Sequence, residues 1–258
     1  MKTELKLNVG LENGRSVITE SYFTSPLKLG TPNGEDERLK VVLMMASAGV
    51  LKGDTFEYNI VCGKGTKTLL TDQSYMKIFD TGEGKAEKKQ SIFLEENASL
   101  YYRPCAAVPF SGSRFDGDTV IHLKPGSELI YADIVTGGRI GMGECFKFKH
   151  FRNRMRVYEN DRLVWMDHCL LEPTFMDLTD LVFFDGHTHQ GTFYYYGNTE
   201  KEEKIMAVLM ENDLINYAKV REIGFGVSRA FKGLCVRVLA GTAQDIEEFF
   251  DRLELVWT

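Results

Sequence analysis

The sequence predicts a mainly β protein whose helices are confined to the C-terminal half. Three observations predict it. Apolar and polar residues alternate with period two through much of the first 198 residues, the mark of half-buried strands. A turn-and-strand unit recurs about every 30 residues through the middle of the chain. Two segments after residue 199 carry helix-start signals followed by apolar stripes. Stacked units of that length would make an open β-superhelix, and a sandwich of regular hairpins fits the same pattern.

Taken in order, residues 4–9 alternate Leu5, Leu7 and Val9 with polar neighbours. The loop at 30–38 holds Gly, Pro, Asn and four charges and reads as an exposed tip. Residues 55–62 place Phe56, Tyr58 and Ile60 on one face. The repeat aligns Leu69, Leu100 and Leu129, each after a turn at 62–65, 96–98 or 124–126. Strands at 154–158 and 163–166 flank Glu159-Asn160-Asp161, polar residues that tolerate the left-handed conformation, so a hairpin is expected. A strand rich in tyrosine lies between Gly191 and Gly197. Thr199 is the expected N-cap of the first helix, with Glu202 reaching back and Ile205, Val208 and Leu209 as its stripe. Residues 234–239 read as a strand, and Thr242 opens the second helix with Ile246, Phe249, Phe250 and Leu253 inward. Without a Pro- or Ser-rich linker, residues 1–258 read as a single domain. Its first 198 residues are mainly strands, and 199–258 form a helix–strand–helix tail packed on them.

Composition narrows the function. The net charge of −6 argues against nucleic acid or an anionic membrane as partner. The 5 cysteines include no C-x-x-C pair, which suits a reducing compartment. The first residues lack an apolar signal region, and 41–46, the most apolar run, is far shorter than a membrane span of about 20 residues. A cytoplasmic location is therefore expected. The 24 glycines suit a turn-rich β fold.

No phosphate-binding loop or nucleophile elbow is present. The glycine-rich run 137–143 lacks the βαβ setting of a dinucleotide site. Two sets of residues bear chemistry. His187 and His189, following Asp185-Gly186, would share a face if they lay on a strand, and a metal hydrolase built on Asp185, His187 and His189 is one functional class. Asp54, Asp133 and Glu144 form the other set. Asp133 stands in an apolar strand on the face of Tyr131, opposite Ile130, Ala132 and Ile134. A carboxylate there needs either an arginine, with Arg139 the nearest candidate, or a wet passage.

Several ordered segments resemble the urease accessory protein D family, also called UreH. They are Tyr22-Phe23-Thr24-Ser25-Pro26-Leu27-Lys28-Leu29, Gly49-Val50-Leu51-Lys52-Gly53-Asp54, and Leu70-Thr71-Asp72-Gln73-Ser74-Tyr75-Met76-Lys77-Ile78. Arg103-Pro104 with Val108-Pro109-Phe110 and Phe184-Asp185-Gly186-His187-Thr188-His189 continue the series. Gly138-Arg139-Ile140-Gly141-Met142-Gly143-Glu144-Cys145-Phe146 is the most specific match. Two departures stand out: Ala48-Gly49 where many members have two glycines, and Cys105-Ala106-Ala107 after the first proline. Cys105 reads as a small buried side chain rather than a soft ligand.

The resemblance implies an extended β-superhelix, or β-helix-like body, carrying two helices and acting without catalysis. It implies binding to accessory protein F, through it to the GTPase protein G, and to apo-urease, in an assembly that is a dimer of heteromers. Nickel(II) would be in transit through an interior passage rather than tightly bound. On this reading Asp54, Asp133, Glu144, His187 and His189 contact the ion transiently, and Arg139 lines the passage or pairs with a carboxylate.

Overall fold

The computed structural model describes residues 1–31 and 38–254. Most of the tip expected at 30–38 lies outside the described residues. The strands run β1 (Lys2–Glu12), β2 (Arg15–Phe23), β3 (Leu27–Gly30), β4 (Leu39–Met45), β5 (Thr55–Cys62), β6 (Lys67–Asp72), β7 (Met76–Ile78), β8 (Ala86–Leu94) and β9 (Ser99–Arg103). They continue with β10 (Ala107–Pro109), β11 (Arg114–Leu123), β12 (Glu128–Thr136), β13 (His150–Glu159), β14 (Arg162–Leu171) and β15 (His189–Tyr196). Helices α1 (Thr199–Met210) and α2 (Asn212–Val220), the hairpin β16 (Gly224–Ala230) and β17 (Gly233–Ala240), and helix α3 (Ala243–Glu254) complete the chain.

These strands form two facing sheets. The first has the order β14-β13-β11-β8-β5-β1-β2, and the second β16-β17-β15-β12-β9-β6-β4-β3. From β5 to β13 the long strands alternate between the sheets, and each pairs in parallel with its counterpart one coil earlier. The result is a β-solenoid of about four turns. A sandwich of hairpins would have made these ladders antiparallel. Antiparallel pairs close the stack at its ends: β1 with β2, and β13 with β14.

The corners repeat as the sequence suggested. Gly65, Asn97 and Gly126 all adopt positive φ. Each turn stacks on the next, with Gly65 N donating to Glu96 O at 3.0 Å and Asn97 N to Pro125 O at 3.2 Å. Gly126 has a second reason to be glycine: a Cβ there would lie 2.1 Å from Asn97 Oδ1. The leucine alignment needs one correction. Leu129 does neighbour Leu100, but the β6 partner of Leu100 is Thr68. Leu69 lies beside Tyr101 instead, on the opposite face, because one step along a strand reverses the side chain.

Two cores result. Between the sheets, Ile60, Ile92, Ile121 and Val157 form one continuous apolar ladder. Tyr101, Ile130, Ala132, Ile134 and Phe193 face outward from the second sheet and are covered by the helices. The first sheet's outer face bears charged ladders and a ring stack, Phe93 on His122 at 4.8 Å and His122 on Tyr158 at 5.5 Å.

The C-terminal half holds three helices rather than two. The segment after the first helix, to which the sequence assigns no element, is α2, and β16 pairs with the expected strand to extend the second sheet. The first cap also shifts by one residue. Asn198, not Thr199, is the N-cap, accepting from Lys201 N at 2.9 Å. Glu202 turns instead to Arg229 at 2.7 Å. The second cap is as read, with Thr242 Oγ1 accepting from Asp245 N at 3.1 Å. The hairpin turn at Asn160-Asp161 is left-handed at both residues, as expected.

Helix α3 approaches β15 at Gly191, where a Cβ would meet Ile246 Cγ2 at 2.5 Å and Phe250 Cζ at 2.8 Å. Gly191→Val should therefore push the helix outward and cost about 1–3 kcal/mol. Phe250→Ala, which empties a fully buried position, should cost about 3–5 kcal/mol. Chemical denaturation of both variants checks the order of the two effects.

Candidate functional site

The parallel ladders place equivalent strand positions from successive coils in line. In the first sheet one inward rung reads Phe56, Lys88, Gly117, Asn153 and Cys169. In the second sheet Asp133 neighbours Thr192, which neighbours Arg237, and Asp72 stands on the same side at the end of β6. A polar seam therefore crosses the space between the sheets, at right angles to the strands. Beside it Tyr102 donates to Gln90 at 3.1 Å and Gln90 to Thr119 at 3.0 Å, and the isoleucine ladder follows.

The seam is hollow. A cavity of about 120 Å³ opens beside Leu27, Ala48 and Tyr75 and reaches Asp72 and Lys88. Those two residues also line a second cavity of about 50 Å³, which continues past Cys105 to Asp133 and Asn153. Asp133 and Asn153 line a third of about 20 Å³, together with Asp167 and Arg237, with room for about one water. Asp167 and Arg237 lead to the last, about 200 Å³, which reaches Val182 and Phe183. Each cavity shares wall residues with the next. The line runs along the solenoid axis.

Its charges are sparse and strained. Asp133 accepts from Asn153 Nδ2 at 2.7 Å. Burial and then the neighbouring Asp167 push its pKa up to about 7, against the pull of Arg237. Arg237 is shared, because it forms a short ion pair with Asp167 and also donates to Thr192 Oγ1 at 2.6 Å. Burial likewise raises Asp72 and lowers Lys88. Cys105 donates to the backbone oxygen of Asp72 at 3.2 Å. Burial pushes the Cys105 and Cys169 thiols up to about 12, so neither is a ready thiolate ligand.

Of the residues expected from the resemblance to contact the ion, Asp133 alone lines these cavities, on the face shared with Tyr131 as read. Its arginine is Arg237 rather than Arg139. Arg139 pairs with Glu144, its Nε donating at 2.9 Å while its plane stacks on Phe110 at 4.4 Å. That pairing holds Glu144 below the usual carboxylate range. Asp54 accepts from the Met1 ammonium at 2.8 Å and from Leu51 N at 2.8 Å, closing the turn before β5.

His187 precedes β15, which begins at His189, so the alternation of a strand does not align the two rings. His187 Nδ1 faces Phe184 O at 3.0 Å and Nε2 faces Glu222 O at 2.9 Å. His189 is buried, with Nδ1 2.8 Å from Thr188 Oγ1, and burial lowers its pKa. Asp185 is an exposed turn residue with positive φ. No cluster of three or more His, Cys, Asp or Glu side chains able to hold a metal occurs among the described residues.

Sequence reasoning passed over Lys88, Asn153, Asp167 and Arg237 and gave Asp72 no role of its own. A signal for Lys88 was present: on β8 it alternates in phase with Ala86, Gln90, Ile92 and Leu94, the inward set. Arg237 carried the signal that Asp133 did, a lone charge in an apolar strand.

The fold is a β-solenoid with a helical layer on its second sheet and a lightly charged axial seam between the sheets. The UreD urease accessory protein family model matches residues 1–258. The urease accessory protein UreH of Helicobacter hepaticus is 33% identical over 252 residues, covering 98% of this chain and 96% of its own length. The UreD proteins of Acetivibrio thermocellus and Flavobacterium johnsoniae are 29% and 31% identical, each covering at least 95% of this chain. The chain belongs to the UreD family of urease accessory proteins. No helix among the described residues is long and apolar enough to cross a membrane.

The single arginine near Asp133 and Asp167 generates a prediction. Asp133 titrates near 7 when folded and near 4 when unfolded, so the folded protein binds its proton more tightly. Its contribution to stability must then fall as pH rises through that window and stay low above it. Asp133→Asn should flatten that fall and be the more stable protein at pH 8. Melting curves of both proteins between pH 4 and 8 check it.

Proposed function

We propose that this chain is a maturation factor for urease, a scaffold that guides nickel(II) toward the apo-enzyme along its axial seam. The carrying observation is the line of four cavities between the sheets, joined through Asp72, Asp133 and Asp167. Membership of a urease accessory family gives the seam its context.

The chemistry suits transport better than storage. Oxygen donors that come singly and lie apart offer a divalent ion a succession of weak partners rather than a closed shell. The thiols, held protonated, do not compete as soft traps. Two of the three carboxylates are backed by fixed donors, Asn153 on Asp133 and Arg237 on Asp167, which position them without an ion. The protein itself transforms no substrate in this reading.

The partners in this reading are accessory protein F, the GTPase protein G reached through it, and apo-urease, assembled as a dimer of heteromers in the cytoplasm. Asp54 and Glu144, each held by its own cation, serve the fold, and His187 and His189 fix the turn before β15. Nickel passes; none stays.

Complementation of a strain lacking this protein tests the reading. Asp133→Ala should keep its partners in co-purification and yet slow nickel-dependent urease activation by about tenfold or more, the scale of losing an ion-handling carboxylate. Glu144→Ala should activate at close to the normal rate. Normal activation by Asp133→Ala with partners bound would overturn the reading.

A further inference from the structure

The seam contains a cation where a cation is to pass. Lys88 lines both the first and the second cavity, with Asp72 beside it in each. Among the described residues no carboxylate lies within hydrogen-bond or ion-pair distance of its ammonium. The charges that act on it are Asp72 and Asp133. Its only close face-on partner is the Tyr58 ring, 5.0 Å from Nζ. On its other side along the rung is Gly117, which adds no side chain. Lys88 is half-buried, and an ammonium there with no carboxylate in contact is less favourable than an apolar side chain of equal length.

Charge counting shows what Lys88 can do. The ionisable groups of the second and third cavities are Asp72, Asp133 and Asp167 against Lys88 and Arg237, a formal net charge of −1. Without the lysine the same walls carry −2, matching a divalent ion. Such a segment would hold the ion in a low-dielectric setting where opposite charges interact strongly.

Resting on the passage reading, we propose that Lys88, held over the Tyr58 ring, is a tethered resident cation of this segment whose charge opposes each transiting divalent ion and so speeds its exit. Lys88 thereby keeps the carboxylates between the sheets from becoming a storage site. The ion that enters meets a weak well. Once it moves on, the ammonium is left facing Asp72.

The test uses the full chain co-purified with its accessory partners, loaded with nickel(II) chloride and then challenged with EDTA. Lys88→Met should retain additional nickel and release it roughly tenfold more slowly than the wild type or worse. It should also slow urease activation. Lys88→Arg, which keeps the charge, should release nickel like the wild type. The additional nickel should vanish from Lys88→Met combined with Asp133→Asn. Should Lys88→Met not fold, Lys88→Gln carries the same expectation. If Asp133→Ala activates urease normally, the passage reading falls and this inference with it. If Asp133→Ala impairs activation but Lys88→Met releases nickel as fast as the wild type, only the role of Lys88 is overturned. Retention by Lys88→Arg equal to that by Lys88→Met overturns it as well.

Discussion

In-register parallel pairing is the constraint from which the rest of this molecule follows. Each long strand from β5 to β13 lies beside its counterpart one coil earlier, so side chains at equivalent positions become neighbours along the axis. A parallel ladder thus turns one residue choice per coil into a continuous line. Isoleucine and valine at one position give a dry wall. Lysine, glycine and asparagine two inward rungs away, past Gln90 and Thr119, make a polar one. Outside, the same register stacks Phe93, His122 and Tyr158 ring on ring.

The helical layer protects that register. The second sheet is apolar on both faces, and its outward residues need a cover as much as the inward ones. Helices α1, α2 and α3 supply it, and Gly191 allows α3 to sit directly against β15. The first sheet needs none, because its outer face is charged and pairs across strands, as Asp118 does with Arg154 and Arg156. One wall of the seam is therefore braced by helices and the other by ion pairs at the surface, which contribute little each and act mainly on alignment.

Polar groups between two sheets are unfavourable unless paired, and here the pairing is deliberately incomplete. Asp167 has Arg237 and Asp133 has Asn153, while Lys88 has only an aromatic face. Asp133 is held near neutrality by burial against the attraction of Arg237. Those tensions mark the seam as the part of the interior shaped by something other than stability. They also explain why the dry ladder lies next to it: Ile60, Ile92 and Ile121 supply the burial that the polar rung gives up.

Much of this was legible in the chain itself. The period of two, the corner residues at Gly65, Asn97 and Gly126, the left-handed Asn160-Asp161 turn and the α3 stripe are local signals, decided by φ preferences and side-chain alternation. The face of Asp133 was equally local, since it follows from its distance to Tyr131. Family membership was carried by ordered motifs. Local signals could not decide the pairing. Thr68 rather than Leu69 meets Leu100 because register is set by both cores at once. Arg139 turns to Glu144, five residues away, while Arg237 crosses to Asp167 and Asp133 from a strand a hundred residues later. Alternation tells which face a residue takes. Only the coiling of the chain tells which residues share that face with it, and here that sharing lines up Asp72, Lys88, Asp133, Asp167 and Arg237 along a single axis.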